Sequence, residues 1–467
     1  PPPPPPPPPP FFFTPTPRKP RSESVWWARI CVKDTASGPL APVAAGLRGV
    51  PGTPIGHAAE AGERLLAVTF NDRATVAGRV REAELERART IAANPRLHHV
   101  VVAAGPEALP FAALDRGPLT DEPGPALISA ERHRRRLAAG SADHLVGHGA
   151  RQVLDAHPAR LADLLLDRRR RHLLRPATAL ARADGPSAHS FFVPFTVYRA
   201  ARRLARTPYR EGVEAVASRL LEPRFVEADG PGGDGTDGID GAVGASLAAL
   251  AWCRPGPAAR WLTGEALAEV SVRLEAAAAR PVLLRRPGER RADAALARHA
   301  ADHRVFEQAA EIRSQRLHAP FLDNQVVRAC RALPEALRVQ PGARASVLRA
   351  VLAGAGIRDL PPGWGAPSHA MHTVAARAGL RHAIDDLLAL FDAPLLADAG
   401  LVEARVVRKA LRAAADGERV PLDGLAELVS TEIWLHRLLA RRGTCWTGTA
   451  APRQRAVAGG VVPRPSL

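Results

Sequence analysis

Leu65-Leu66-Ala67-Val68-Thr69-Phe70, followed after a charged stretch and Asn94-Pro95 by the mostly apolar run Leu97 to Ala104, decides the fold class. Each run is short and aliphatic, as buried strands are, and the residues between them, from about Val80 to Ala93, read as a charged helix. Strand, helix, strand at this spacing is a βαβ unit, and parallel sheets bind ligands at the carboxyl ends of their strands. Beyond Ser129, Leu and Ala recur at three- and four-residue steps in Leu161 to Leu166, Ala258 to Leu284 and Ala383 to Leu390. The spacing predicts helices there. The expected architecture is α/β, a small parallel-sheet core with a large helical part.

Outside that core the composition changes. The first seventeen residues hold twelve of the 45 prolines and a Phe11-Phe12-Phe13 run, which favours extended polyproline II and builds no core. Residues 1–24 are therefore set aside as a Pro-rich leader, and an opening Pro in place of Met points to a fragment or a shifted reading frame. One domain is expected over 25–446, with a mobile Gly/Asp loop at 229–244 and a tail at 447–467. Between Gly230 and Gly244 stand seven glycines with Asp234, Asp237 and Asp240. Gly232 to Asp240 fits one copy of a calcium-binding nonapeptide pattern, but such sites need stacked copies, so a plain loop is the better reading.

Of the 467 residues, 64 are Lys or Arg and 47 Asp or Glu, a net charge of +17 that reflects a general bias towards Arg. Two dense basic clusters, Arg132 to Arg136 and Arg168 to Arg171, read as solvated helical faces. They lack nearby aromatic residues for base stacking, which argues against nucleic acid. No apolar stretch is long enough to span a membrane and no secretory signal is evident, so the cytoplasm is the expected location. The four cysteines (Cys31, Cys253, Cys330, Cys445) form no C-x-x-C pair, which excludes a zinc knuckle or disulfide framework of that kind. No metal-ligand set stands out.

Three segments carry candidate chemistry. Ser37-Gly38-Pro39-Leu40-Ala41-Pro42 leads into a small-residue helix pattern, and such a turn can aim backbone N–H groups at a phosphate or simply enter a helix. Val146-Gly147-His148-Gly149-Ala150-Arg151-Gln152 sets an ionisable residue between glycines, where His148 is an acid–base candidate or a turn residue. Arg316 to Asn324 reads as an extended pre-proline turn, with Phe321 in the core and Asp323 capping a helix.

In order, these segments resemble the synthetase domain of the asparagine synthetase family, across roughly Thr35 to Leu439. The most specific run is His318-Ala319-Pro320-Phe321-Leu322-Asp323-Asn324-Gln325-Val326-Val327. Ala83 to Val101 and Thr120-Asp121-Glu122-Pro123 match further blocks of the family. Within the family, "GLVEARVVRKAL" and "ELVSTEIWL" are similar to actinobacterial lasso peptide cyclases, which close a macrolactam. The resemblance implies a core of adenine nucleotide alpha-hydrolase type that uses ATP and Mg²⁺ to adenylate a carboxylate, which an amine then attacks. It puts pyrophosphate against Ser37, Gly38 and Leu40, adenine near Thr69 and Phe70, and the second loop on Val146, Gly147, His148, Gly149 and Arg151. Where the family holds magnesium on two aspartates, this chain has Ala41 and Arg151, and Pro39 replaces a loop glycine. No lysine stands in Gly363 to Met371 to steady pyrophosphate, so Arg151 is the candidate for that charge. Cys31 lies inside the chain and does not serve as the family's amino-terminal glutaminase nucleophile. The expected substrate is thus a precursor peptide or a small carboxylate, with a leader-peptide-binding protein or protease as a further partner. Asparagine synthesis and a non-catalytic, peptide-binding homologue remain as alternatives.

Overall fold

A computed structural model of the protein describes residues 28–31, 65–72, 78–94, 97–139, 143–173, 175–176, 178, 193–222, 249–281, 285–310, 316–354, 369–418 and 420–442. The βαβ unit is present as β2 (Leu65–Asp72), α1 (Gly78–Ala92) and β3 (Leu97–Ala104), and β2 and β3 are parallel in register from Leu65↔Leu97 to Asp72↔Ala104. Leu65, Ala67, Val68, Thr69 and Phe70 are all buried. That near-continuous burial is what a parallel strand covered on both faces requires. β3 lies at the sheet edge and leaves Val101 exposed.

Three shorter strands complete the sheet: β1 (Ala28–Cys31), β4 (Asp143–Leu145) and β5 (Arg316–His318). All neighbours pair in parallel, in the order β3-β2-β1-β4-β5. The order reverses between β1 and β4, and in doubly wound sheets the crevice outside the carboxyl ends at such a switch point is where ligands bind. The mostly helical pattern expected beyond Ser129 holds, and β4 and β5 are short strands within it.

The remainder is helical: α2 (Ala130–Ala138), α3 (Ala150–Leu154), α4 (Arg160–Leu166), α5 (Val193–Arg206), α6 (Tyr209–Leu220), α7 (Gly264–Ala279), α8 (Pro287–Ala309), α9 (Asn324–Ala332), α10 (Glu335–Arg338), α11 (Ala343–Gly354), α12 (His369–His382), α13 (Ile384–Leu390), α14 (Leu395–Asp398), α15 (Ala404–Asp416) and α16 (Leu422–Arg442). Within the helical pattern read over Ala258 to Leu284, the α-helix itself is Gly264–Ala279. A 3₁₀ turn at Pro257–Trp261 ends before Thr263, whose side chain caps α7 by accepting from the Ala266 N–H. Phe391, Leu411, Leu425 and Val429, all fully buried, centre the helical core. Among the described residues no helix is long and apolar enough to cross a membrane. The Gly/Asp segment at 229–244, the leader and the tail lie outside the described residues.

The basic cluster on α2 is not a solvated face. Arg132 is buried, and the Arg132 and Arg136 guanidiniums lie 4.9 and 5.0 Å from the centroid of the Phe70 ring. Both distances suit cation–π contact. Arg134 and Arg135 pair with Glu131, and Arg135 also reaches Glu107. The second cluster is exposed at Arg168, Arg169 and Arg171, as expected, but it follows α4 rather than lying within it.

Candidate functional site

β4 hands its chain directly to the candidate loop. The Val146 N–H still donates to the His318 carbonyl at 2.9 Å, extending the pairing with β5 by one residue, and the backbone then leaves the sheet at Gly147. Gly149 has φ of +84°, a left-handed conformation that favours glycine. A Cβ there would lie 2.5 Å from Leu322 Cδ2, so the absence of a side chain also lets the turn after β5 pack against the loop. α3 follows at once, seated by Val153 and Leu154 against Phe321, Val327 and Leu348. Its last turn is held by Arg338, whose Nη2 donates to the Val153 carbonyl at 2.7 Å.

Asp323 behaves as expected, its Oδ1 accepting from the Gln325 N–H at 2.7 Å to cap α9, with Phe321 buried beside it. The Thr120 to Pro123 turn is tied down from two sides. Asp121 exchanges hydrogen bonds with the Gln308 amide at 2.9 and 2.6 Å, and the Trp434 Nε1–H donates to the Thr120 carbonyl at 2.8 Å.

The loop's other neighbour is α8. The Gly149 N–H donates to Nε2 of His299 at 2.9 Å, so this imidazole carries its proton on Nδ1. His148 and His303 meet Nδ1 to Nδ1 at 2.8 Å. The Glu307 carboxylate stands 3.5 Å from His303 Nε2, which favours the proton at Nε2 and leaves His303 Nδ1 to accept from His148. Burial, and then His148 and His299 nearby, push the His303 imidazole down to about 4, so it is neutral at physiological pH. The His148 ring also packs 4.8 Å from the Phe306 centroid. His299 and His303 escaped the reading of the sequence. Their i, i+4 spacing, which puts both on one helix face, is the signal that marks them.

The structure thus brings Val146, Gly147, His148, Gly149 and Arg151 together at the carboxyl end of β4. Arg151 is exposed on the first turn of α3. Thr69 and Phe70 are buried in β2 instead, Thr69 Oγ1 bonded to His99 Nε2 at 2.9 Å and Phe70 beneath the two arginines. Ser37, Gly38 and Leu40 lie outside the described residues, on the segment that follows β1.

Magnesium does not fit the described half of this site. At the position where a carboxylate is expected stands a cation, Arg151, and among the described residues no three His, Cys, Asp or Glu side chains are grouped to hold a metal.

Sheet order and loop position define an α/β protein with a five-stranded parallel sheet whose order reverses between β1 and β4. The family model of asparagine synthase matches residues 66–436, most of the chain, and the chain belongs to that family. The family is one of ATP-dependent ligases that form amide bonds. Among curated proteins, none matches the chain.

Proposed function

We propose that the protein is an adenylate-forming ligase with a core of adenine nucleotide alpha-hydrolase type, acting on a peptide carboxylate to close a macrolactam as lasso peptide cyclases do. The observation that supports this reading is the strand order, because β1 and β4 are parallel neighbours whose carboxyl ends lie side by side where the order reverses. In the sequence Ser37, Gly38 and Leu40 follow β1, and Gly147, His148 and Gly149 follow β4. In this reading the carboxylate oxygen attacks the α-phosphorus of ATP and pyrophosphate leaves. The amine nitrogen then bonds to the acyl carbon, the acyl–oxygen bond to AMP breaks, and His148 takes the amine's proton. Arg151 lends its charge to the departing pyrophosphate.

ATP–pyrophosphate exchange tests it, with a candidate precursor peptide or aspartate as the carboxylate. Exchange with peptide supports the cyclase, whereas exchange with aspartate alone moves the assignment to asparagine synthesis. Arg151 at the expected position of an acid favours a second reading, a peptide-binding homologue without catalysis. Peptide binding by a folded protein that shows no exchange establishes that reading and overturns the first.

A further inference from the structure

Two histidines one turn apart on α8 grip consecutive residues of the loop after β4, His303 at the His148 ring and His299 at the Gly149 N–H. The second grip has a chemical condition. An imidazole accepts from an N–H only while that ring nitrogen is unprotonated, and a protonated His299 presents a donor to the Gly149 N–H instead. The Gly149 N–H makes one strong bond at a time, so an anion that takes it must take it from His299.

We propose that His299 is a positioning residue that latches the loop, and that its protonation hands the Gly149 N–H, together with an imidazolium N–H, to an oxyanion such as a nucleotide phosphate. The ligand half of this inference rests on the nucleotide reading of the crevice; the latch does not. Around the latch stand His148 on the loop, Asp302, His303 and Glu307 on α8, and His318 on β5 facing Glu307. The Asp302 carboxylate favours a charged His299. It is fixed by the Ala126 N–H at 3.1 Å. His303 stays neutral where an ordinary histidine titrates and so sets no charge against His299.

Hydrogen–deuterium exchange of the nucleotide-free protein reads the latch directly, through the peptide covering residues 146–154 and normalised to intrinsic rates at each pH. Lowering the pH from about 8 to about 5.5 brackets the ordinary titration of a histidine. Over that range the protection of Gly149 is expected to fall about fivefold, the equivalent of one hydrogen bond. His299→Gln, whose Oε1 occupies much the same place as Nε2 but does not titrate, keeps protection at both values. His299→Leu loses it at both, with circular dichroism and thermal unfolding showing that it is folded. ATP affinity measured beside it rises on acidification in the wild type and is flat in His299→Gln. Protection that ignores both pH and the His299 variants overturns the latch. A protein that binds no ATP yet shows the His299-dependent protection keeps the latch and discards the nucleotide reading.

Discussion

The Gly288 N–H donates to Oδ1 of Asp163 at 2.9 Å, so that a fully buried carboxylate on α4 holds the first turn of α8. Fifteen residues further on, the same helix reaches the His303–His148 contact, which makes α8 a rigid spacer between the helical part and the sheet's switch point. Arg160 shares the Asp163 carboxylate at 3.2 Å and also pairs with Glu335. Removing Asp163 strands a buried N–H and unbalances that pairing. Asp163→Ala is expected to lower stability by about 3 kcal/mol, with Asp163→Asn losing less because it keeps an acceptor for Gly288. Urea unfolding of the two variants checks the order.

Gly149→Ala places a methyl group against Leu322 at a backbone angle L-residues rarely adopt. The cost is expected to be about 1–2 kcal/mol, from the left-handed conformation and the contact together. Leu322→Ala in the same chain relieves the contact alone, so the double variant should recover part of the loss. A double-mutant cycle that shows strict additivity contradicts the contact.

Arg151→Ala tests the electrostatic role given to this cation. Two opposite charges about 4 Å apart at an effective dielectric near 20 attract by about 4 kcal/mol, but exposed pairs measure at most about 1 kcal/mol. Since Arg151 is exposed, the expected loss in ATP affinity is about fivefold rather than a thousandfold. Unchanged affinity in a titration of the variant removes Arg151 from the site.

His303 predicts a pH dependence of stability. Its folded-state value of about 4 lies below its ordinary 6.5, so between those values the unfolded chain binds a proton that the folded chain does not. The favourable contribution is complete above 6.5 and is lost on acidification towards 4, by at most about 3 kcal/mol. Half-buried Asp155, Asp302 and Glu335, whose carboxyls are pushed up mainly by desolvation, pull the other way. The comparison is therefore with His303→Gln, whose urea midpoint should vary less over this range. Parallel curves for the two proteins rule His303 out as the source.

The β2-α1-β3 unit was legible because its strands are long aliphatic runs and carry their own signal. β4 and β5 were not. Asp143-His144-Leu145 and Arg316-Leu317-His318 have one aliphatic residue each, and their strand conformation comes from pairing with partners far away in the chain. The loop at Gly147 to Gly149 was legible from its glycines and the Asp323 cap from its side chain, both local features. The helix face that meets the loop was hidden, because His299 and His303 stand in an Arg- and Ala-rich helix and gain meaning only where α8 crosses the end of β4. Arg132 misled for a related reason: charge argues for solvent, and the aromatic ring that accepts it lies on another element.

The bond from Trp434 to Thr120 also sets an order of events during synthesis. The turn before β4 is closed by a residue on α16, 314 positions later, so the segment emerges from the ribosome long before the helix that secures it. At about 5–20 residues per second, that interval is on the order of a quarter of a minute to a minute. During it Leu127, Ile128 and the neighbouring apolar side chains lack their final cover, which gives chaperones a defined window in which to bind the nascent chain.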